Sequence, residues 1–178
     1  NGVCNLAVSG GTTPGPIYRL LSDKYKQIID SQKIHVFFSD ERCVEPDHED
    51  SNYRLVLETF IRPMGIPDIN VHRIKGDLGC EEAADAYSNE ILRYFGGGEP
   101  KFDLILLGMG KDAHICSIFP GTPVVYDDTN YVIGHYVPQI DSSRVTFTPR
   151  VLINSKRILV LINDPTKHQI LDLVQQGP

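Results

Sequence analysis

The sequence of 178 residues has no long hydrophobic run and no excess of positive charge. A membrane-spanning helix needs about 18 or more consecutive apolar residues, and no such window is present. Lysine and arginine number 17 against 23 aspartate and glutamate residues, which gives a net charge of -6. Nucleic-acid-binding domains usually carry a basic surface. We therefore expect neither a membrane protein nor a nucleic-acid-binding protein.

Cysteine is also scarce. Cys4, Cys43, Cys80 and Cys116 form no Cys-x-x-Cys pair and show no spacing typical of a metal site. This pattern favours small, buried thiols in a reducing compartment over disulfides. We therefore expect free thiols, no metal ion and a cytoplasmic location.

The chain also lacks repeats, low-complexity tracts and domain linkers, and strand-like and helix-like stretches alternate along its whole length. Hydrophobic residues make up 41% and charged residues 22%, which is typical of a globular domain with a sizeable core. Alternating strands and helices are typical of a parallel sheet covered by helices. We predict one doubly wound, three-layer α/β/α domain over residues 1–178, with a mostly parallel, Rossmann-like sheet.

The central stretch of the chain combines a buried strand with polar residues. The short apolar run Leu104–Leu107 is typical of a strand buried on both faces. Gly108–Gly110 follows and allows a sharp turn and close approach of a ligand. Asp112 and His114 come next, at the carboxyl end of the strand, where open parallel sheets bind ligands. A solvated strand-to-loop corner would also carry these residues, so this motif alone does not decide between the two.

A glycine-rich loop, Ser9–Pro14, joins the strand Cys4–Val8 to a helix. Pro14 suits the first helical position and Thr13 suits the N-cap. Exposed amides and the helix dipole at such a junction favour an anion, most often phosphate. The loop matches neither GxGxxG nor a Walker A sequence, so it need not bind a nucleotide. A plain tight turn with a well-made cap explains the loop equally well.

Two further segments place cations where an anion could bind. Arg42 follows the strand Ile34–Phe38, and its planar guanidinium suits phosphate. The alternative is a surface ion cluster, which contributes little energy. We predict that Lys167 lies in the first turn of the last helix, after the strand Arg157–Ile162, which we predict to be buried. A cation there opposes the helix dipole unless it meets an anion. An exposed lysine is the equal alternative.

These segments together resemble the 6-phosphogluconolactonase family. SGGTTP at Ser9–Pro14, FFSDERCV at Phe37–Val44 and LLGMGKDAHICSIFPGT at Leu106–Thr122 carry the resemblance, and Ser51–Arg54 and Arg144–Thr148 fit it. Order and spacing match over nearly all of the chain. The resemblance implies hydrolysis of 6-phospho-D-glucono-1,5-lactone to 6-phosphogluconate in the oxidative pentose phosphate pathway. It also implies that the partner is this small sugar phosphate lactone and that no metal or organic cofactor is used.

The resemblance also implies roles for individual residues. His114 would be the general base that activates water, and Asp112 would orient the imidazole or the water. Asp40 would be a further orienting residue. The 6-phosphate of the substrate would be held by Gly10, Gly11, Thr12, Arg42 and Lys167.

The sequence departs from the family in three places. Ala113 replaces the glycine of the family's Asp-Gly-His turn, so the turn must avoid positive φ there or bear some strain. Asn163–Thr166 replaces a Thr-Gly pair before the lysine. We also expect the domain to lack the family's N-terminal helix and C-terminal end. Family members occur fused to glucose-6-phosphate dehydrogenase, and we expect fusion to or association with that enzyme to suit this chain.

Two other functions remain open on the sequence. Glucosamine-6-phosphate deaminases share the Asp-Gly-His turn and the fold, but carry a glutamate five residues after the histidine, where this chain has Phe119. They also have Asp-Glu-Tyr where this chain has Asp-Glu-Arg at 40–42. Both differences favour the lactonase. A catalytically silent sugar-phosphate sensor would keep the glycine loop, and Ala113 is its only support.

Overall fold

The computed structural model describes residues 2–176. Within these residues there are eight strands: β1 (Cys4–Val8), β2 (Ile34–Phe38), β3 (Asp40–Arg42), β4 (Val71–His72), β5 (Leu104–Gly108), β6 (Val132–Val137), β7 (Ser142–Phe147) and β8 (Ile158–Leu161). The helices are α1 (Pro14–Tyr25), α2 (Asn52–Val56), α3 (Arg62–Met64), α4 (Cys80–Tyr94), α5 (Pro149–Asn154) and α6 (His168–Gln176). A π-helical turn, Leu57–Ile61, joins α2 to α3. No helix in the described part of the chain is long and apolar enough to cross a membrane.

The larger sheet is parallel and has the strand order β4-β2-β1-β5-β8. β1 pairs with β2 from Cys4 opposite Ile34 onward, and it pairs with β5 on its other side. The apolar run of β5 is buried as predicted, with Ile105 and Leu107 fully inaccessible to solvent. Because the strands are parallel, the carboxyl ends of β1, β2 and β5 meet at one edge. The α/β prediction with a mostly parallel central sheet is confirmed.

A separate antiparallel sheet, in the order β3-β7-β6, stands beside the first. The sequence predicted extended segments here but not a second sheet. Ser39 joins the two sheets, because its N–H donates to the Val8 carbonyl and its carbonyl accepts from the N–H of Phe147. The chain leaves β2 at Ser39 and continues as β3, which pairs with β7. Asp40 and Arg42 therefore lie on a strand of their own at the edge where β1 and β5 end.

The N-termini of α1 and α2 are capped differently. Ser51 caps α2, since its Oγ accepts from the N–H of Arg54. Thr13 precedes α1, with Pro14 at the first helical position, but its side chain makes no capping bond. Its hydroxyl instead donates to Asn163 Oδ1 at 2.7 Å. The loop before α1 is therefore tied to the segment that leads into α6.

The helix α4 is fixed to the central sheet through one buried tyrosine. Tyr87 accepts a hydrogen bond from the N–H of Phe38 at 2.8 Å and donates to its carbonyl at 3.2 Å. Burial raises the pKa of the Tyr87 hydroxyl well above its ordinary value, so the group stays neutral. Phe147 of β7 stacks on the same ring. Tyr87 therefore connects α4, β2 and the second sheet in one core.

The strand β8 was predicted to be buried, and that prediction was wrong. Ile158, Leu159 and Val160 are 41%, 50% and 40% exposed. β8 pairs with β5 on one side and forms the edge of the parallel sheet. Its apolar residues match those of a buried strand, but an edge strand is covered only if another element packs on it.

The prediction of four free thiols was also wrong. Cys43 and Cys80 form a disulfide, with Cα atoms 5.6 Å apart. It joins the residue after β3 to the first residue of α4. Cys116 is a buried free thiol and Cys4 is a partly exposed one. A separation of 37 residues concealed the pair, because the two side chains meet only when α4 packs on β6 and β7 of the sheet that contains β3.

Candidate active site

The loop after β5 presents a histidine–carboxylate pair. His114 Nδ1 lies 2.5 Å from Asp112 Oδ1, and about a quarter of the His114 side chain is exposed. An ionised carboxylate only accepts, so Nδ1 donates this bond and Nε2 keeps its lone pair. Gly110 makes room for the ring, because a Cβ there would lie 2.2 Å from His114. Ala113 has φ of 69°, so this turn bears the strain that a glycine would avoid.

The carboxylate of Asp112 is kept ionised by its partner. Burial acts to raise the pKa of Asp112, but the hydrogen bond and the charge of His114 outweigh it and hold the pKa below its usual value. Asp112 is therefore ionised at neutral pH and accepts a hydrogen bond from the imidazole. It can stabilise an imidazolium that forms beside it.

The other face of the pair is apolar. The ring of Phe119 stacks on the imidazole of His114 with centroids 4.0 Å apart. Phe119 is 5% exposed, so the stack shields one side of the imidazole from water. The imidazole is thus held at its Nδ1 edge by Asp112 and on one face by Phe119.

The glycine loop is closely packed against α2. A Cβ at Gly10 would lie 1.8 Å from Asn52 Oδ1, so glycine is required there. Gly11 has φ of 104°, which also favours glycine. Ser9 connects the loop to α1 and β5. Its carbonyl accepts from the Tyr18 hydroxyl, and its Oγ accepts from the N–H of Gly108. The loop is held between β1, β5 and α2.

A cavity of about 170 Å³ lies between this loop, β3 and the loop after β5. Every predicted site residue except Asp112 lines this cavity. Asp112 is hydrogen-bonded to His114, which does line it. Further lining residues include Asn52, Met109 and Cys116. Elements far apart in the sequence thus bring the residues predicted to bind phosphate and those predicted to be catalytic to one cavity.

The two predicted phosphate-binding cations occupy different sides of this cavity. Lys167 Nζ donates to the carbonyl of Met109 at 2.5 Å. Arg42 Nη1 donates to the carbonyl of Asp50 at 2.7 Å, and its Nε is buried without a hydrogen-bond partner among the described residues. A buried N–H without an acceptor is costly, and an anionic ligand would satisfy it. Both side chains donate to neutral backbone carbonyls, so their positive charges are available to an anionic ligand.

Asp40 and Glu41 do not form the surface ion cluster that the sequence allowed, because both are buried. Asp40 Oδ2 accepts from the Ser117 hydroxyl at 2.7 Å, which joins β3 to the loop that carries His114. Glu41 faces the other way and accepts the N–H groups of Asn52 and Tyr53 at the start of α2. Burial raises the pKa of Glu41 against the opposing effect of these bonds. Asp40 belongs to the site, whereas Glu41 holds α2 in place.

Sequence reasoning missed two residues of the site. Asn52 Nδ2 donates to the carbonyl of Asp40 at 3.0 Å, and its Oδ1 lies against Gly10. Ser117 joins Asp40 to the histidine loop. Both residues lie within segments that carry or fit the family resemblance, but their types alone indicate no role.

A larger cavity, of about 460 Å³, lies beside α4 and is lined by residues that include Arg73, Lys75 and Glu90. It contains none of the predicted site residues. Binding sites are marked by converging polar groups rather than by volume alone. Within residues 2–176, no three His, Cys, Asp or Glu side chains are grouped so that they could hold a metal ion.

The parallel sheet, the glycine loop and the imidazole–carboxylate pair place the chain among Rossmann-like α/β enzymes. Comparison with known proteins gives the family. A family profile described as glucosamine-6-phosphate isomerases/6-phosphogluconolactonase matches residues 1–178. The chain belongs to this family.

The similar proteins are named lactonases. A 6-phosphogluconolactonase of Treponema pallidum is 35% identical over 97% of this chain and 73% of its own length. A probable chloroplastic 6-phosphogluconolactonase of rice is 36% identical over 93% of this chain and 54% of its own length. The crystal structure of 6-phosphogluconolactonase from Thermotoga maritima has a TM-score of 0.89 and 32% identity, over 100% of this chain and 78% of that one. The chain thus spans about half the length of the plant relative and about three quarters of the bacterial ones.

Proposed function

We propose that the chain hydrolyses 6-phospho-D-glucono-1,5-lactone to 6-phosphogluconate. The observation that carries this proposal is the position of the His114–Asp112 pair at a cavity that also contains the glycine loop, Arg42 and Lys167. The names of the relatives support it. The deaminase alternative is disfavoured by Phe119, which stacks on the imidazole where a deaminase has a glutamate.

His114 is the general base in this proposal. With Nδ1 donating to Asp112, the Nε2 atom accepts a proton from a water molecule that attacks the lactone carbonyl carbon. The bond between that carbon and the ring oxygen then breaks, and the imidazolium returns its proton to the ring oxygen. The new carboxylic acid loses its own proton to solvent. Asp112 stabilises the transient imidazolium without becoming protonated.

The remaining residues bind and orient the substrate. Backbone N–H groups of Gly10, Gly11 and Thr12 at the start of α1, with the charges of Arg42 and Lys167, hold the 6-phosphate. Binding energy at this remote group positions the carbonyl beside His114. Asp40 orients the histidine loop through Ser117. The residues of this chain thus supply both the base and the phosphate anchor.

We further propose that residues 1–178 form one lactonase domain of a longer protein, fused to or associated with glucose-6-phosphate dehydrogenase and acting in the pentose phosphate pathway to supply NADPH. A cytoplasmic location stays a prediction, since the rice relative is named chloroplastic.

A coupled assay tests the function. Freshly made 6-phosphogluconolactone is added to the protein, and 6-phosphogluconate is measured with 6-phosphogluconate dehydrogenase and NADP⁺. The rate of spontaneous hydrolysis is subtracted. We expect catalysed turnover and no ammonia release from glucosamine 6-phosphate. Binding of 6-phosphogluconate without turnover would indicate the silent sensor instead, and ammonia release would indicate the deaminase.

A further inference from the structure

Arg144 lies directly opposite Arg42 across the β3–β7 pair. Residues opposed in antiparallel strands point to the same face, with Cβ atoms about 5 Å apart, and like charges at such positions repel. The same register places Asp40 opposite Thr146. Asp40 accepts from the Ser117 hydroxyl, and Thr146 Oγ1 accepts from the N–H of Ser117. This face of the strand pair is therefore the face that meets the histidine loop.

Within residues 2–176 neither arginine forms an ion pair with a carboxylate, although the charges of Asp40, Asp50 and Glu41 act favourably on Arg144 from farther away. Arg144 Nη1 donates to the Ser142 hydroxyl and to the carbonyl of Ser143, and Arg42 Nη1 donates to the carbonyl of Asp50. The Asp50 carboxylate lies instead 3.8 Å from His48 Nδ1. Asp40 and Glu41 are already engaged with Ser117 and with the N-terminus of α2.

The environment of Arg144 makes its charge unfavourable in the absence of a ligand. Burial, and then the charge of Arg42, lower the pKa of Arg144 from its ordinary value. A guanidinium nevertheless stays protonated in proteins. Arg42 Nε, in turn, is buried without a hydrogen-bond partner among the described residues. An anion placed between the two guanidinium groups would stabilise the charge of Arg144 and accept a hydrogen bond from Arg42 Nε.

Space for an anion is present. A cavity of about 330 Å³ is lined by both arginines, Asp50 and the serines at 142 and 143. Arg42 also lines the cavity that contains His114, so the two cavities adjoin at its side chain. Phosphate suits two arginines and neighbouring hydroxyls because its oxygens accept several hydrogen bonds at once.

We propose that Arg144 is a second arginine of the phosphate site, which holds the 6-phosphate of the substrate together with Arg42 and so determines the preference for phosphorylated lactones. This inference rests on the proposed function and adds a residue to which that function gave no role. The two arginines approach the phosphate from neighbouring strands, whereas the glycine loop and Lys167 approach it from the parallel sheet.

Binding of inorganic phosphate, measured by titration calorimetry, tests the proposal without any turnover. The variants are Arg144→Gln and Arg144→Met, which remove the charge, and Arg144→Lys, which keeps it. Arg157→Gln is the matched control, because Arg157 is exposed, precedes the edge strand β8 of the parallel sheet and lines neither cavity that contains Arg42. Thermal unfolding shows which variants are folded, and Met replaces Gln if the Gln variant is not.

We expect the loss of the Arg144 charge to weaken phosphate binding about tenfold and to raise KM for 6-phosphogluconolactone similarly. The phosphate affinity and the KM of the lysine variant should lie between those of the uncharged variants and those of the wild type. The value of kcat should change little, and kcat/KM for unphosphorylated glucono-1,5-lactone should not change. Phosphate should inhibit competitively, and the Arg157→Gln variant should behave as wild type.

A phosphate affinity within twofold of wild type in a folded Gln or Met variant would overturn the proposal. Inhibition by phosphate that is not competitive with the lactone would also overturn it, because the anion would then bind elsewhere. A wild type that hydrolyses no lactone would reject the proposed function. The calorimetry would still show whether Arg144 contributes to phosphate binding.

Discussion

The imidazole of His114 lies against the ring of Phe119, with the two planes inclined by 25°. Phe119 packs on one face of the imidazole, and Asp112 accepts a hydrogen bond from its Nδ1. Together the two contacts hold the ring in one orientation. The position of Phe119 is also the one where the deaminases of the family carry a glutamate. We propose that this contact favours lactonase over deaminase chemistry.

The change Phe119→Glu should destabilise the protein and lower lactonase activity without creating a deaminase. A carboxylate buried at this position costs several kcal/mol unless it is paired. Its nearest partner would be the imidazole, and a carboxylate in contact favours the imidazolium, which cannot act as a base. Phe119→Leu is the control, which stays apolar and should retain more activity. Ammonia release from glucosamine 6-phosphate by wild type or variant would contradict the assignment.

The change His114→Ala should remove most of the activity and leave the fold intact. General base catalysis contributes about 10²–10⁴-fold, so we expect a loss of that size in kcat. Binding of inorganic phosphate should stay close to wild type, because the phosphate anchor lies on other elements. Near-normal turnover in the coupled assay would remove His114 from the mechanism.

The change Arg42→Ala should raise KM more than it lowers kcat. Phosphate contacts persist from substrate to transition state, so their loss weakens binding uniformly. A hydrogen bond to a charged group contributes about 1.5–3 kcal/mol, and KM should therefore rise by about tenfold or more. Arg54→Ala is the control, since Arg54 of α2 forms an exposed ion pair with Glu58 of the π-helical turn that follows. An unchanged KM would assign Arg42 to the structure of β3 alone.

The change Gly10→Ala should distort the glycine loop. Its Cβ would meet Asn52 Oδ1, and Asn52 is held by its bond to the Asp40 carbonyl. Such overpacking typically lowers the free energy of unfolding by about 1–3 kcal/mol. KM should rise because the distorted loop holds the phosphate less well. Gly108→Ala is the control for the stability measurement, because nothing lies within 4 Å of a Cβ there.

A double variant identifies the cause of this effect. In the background Asn52→Ala, the change Gly10→Ala should cost much less free energy of unfolding, because the oxygen that it meets is gone. Denaturant unfolding of the four proteins in this cycle measures the coupling. Equal costs in both backgrounds would show that the loop needs glycine for another reason.

The disulfide predicts the number of free thiols and the effect of reduction. Thiol titration of the unfolded, unreduced protein should find Cys4 and Cys116 alone. The change Cys43→Ser should lower the free energy of unfolding by about 2–4 kcal/mol, and reduction of the wild type should do the same. Cys4→Ser should have a much smaller effect. Four titratable thiols in the unreduced protein would mean that Cys43 and Cys80 are not joined in solution.

Features that depend on neighbouring residues could be predicted from the sequence. The apolar run of β5, the glycine loop before α1 and the Ser51 cap of α2 follow from local periodicity, φ preferences and capping chemistry. Motif order and spacing then indicated the family, because residues that share one site must keep a fixed arrangement along a given fold. The fold class and the family could thus be predicted from neighbouring residues and motif spacing, and the roles of the site residues stay predictions.

Contacts between distant segments could not be predicted from the sequence. Nothing local indicates that β3 pairs with β7 and so places Arg144 beside Arg42, or that Asn52 lies against Gly10. The disulfide and the exposure of β8 were mispredicted for the same reason. Strand pairing and helix packing are set by the free energy of the whole core, in which segments far apart along the chain contribute together. A window of neighbouring residues does not contain that information.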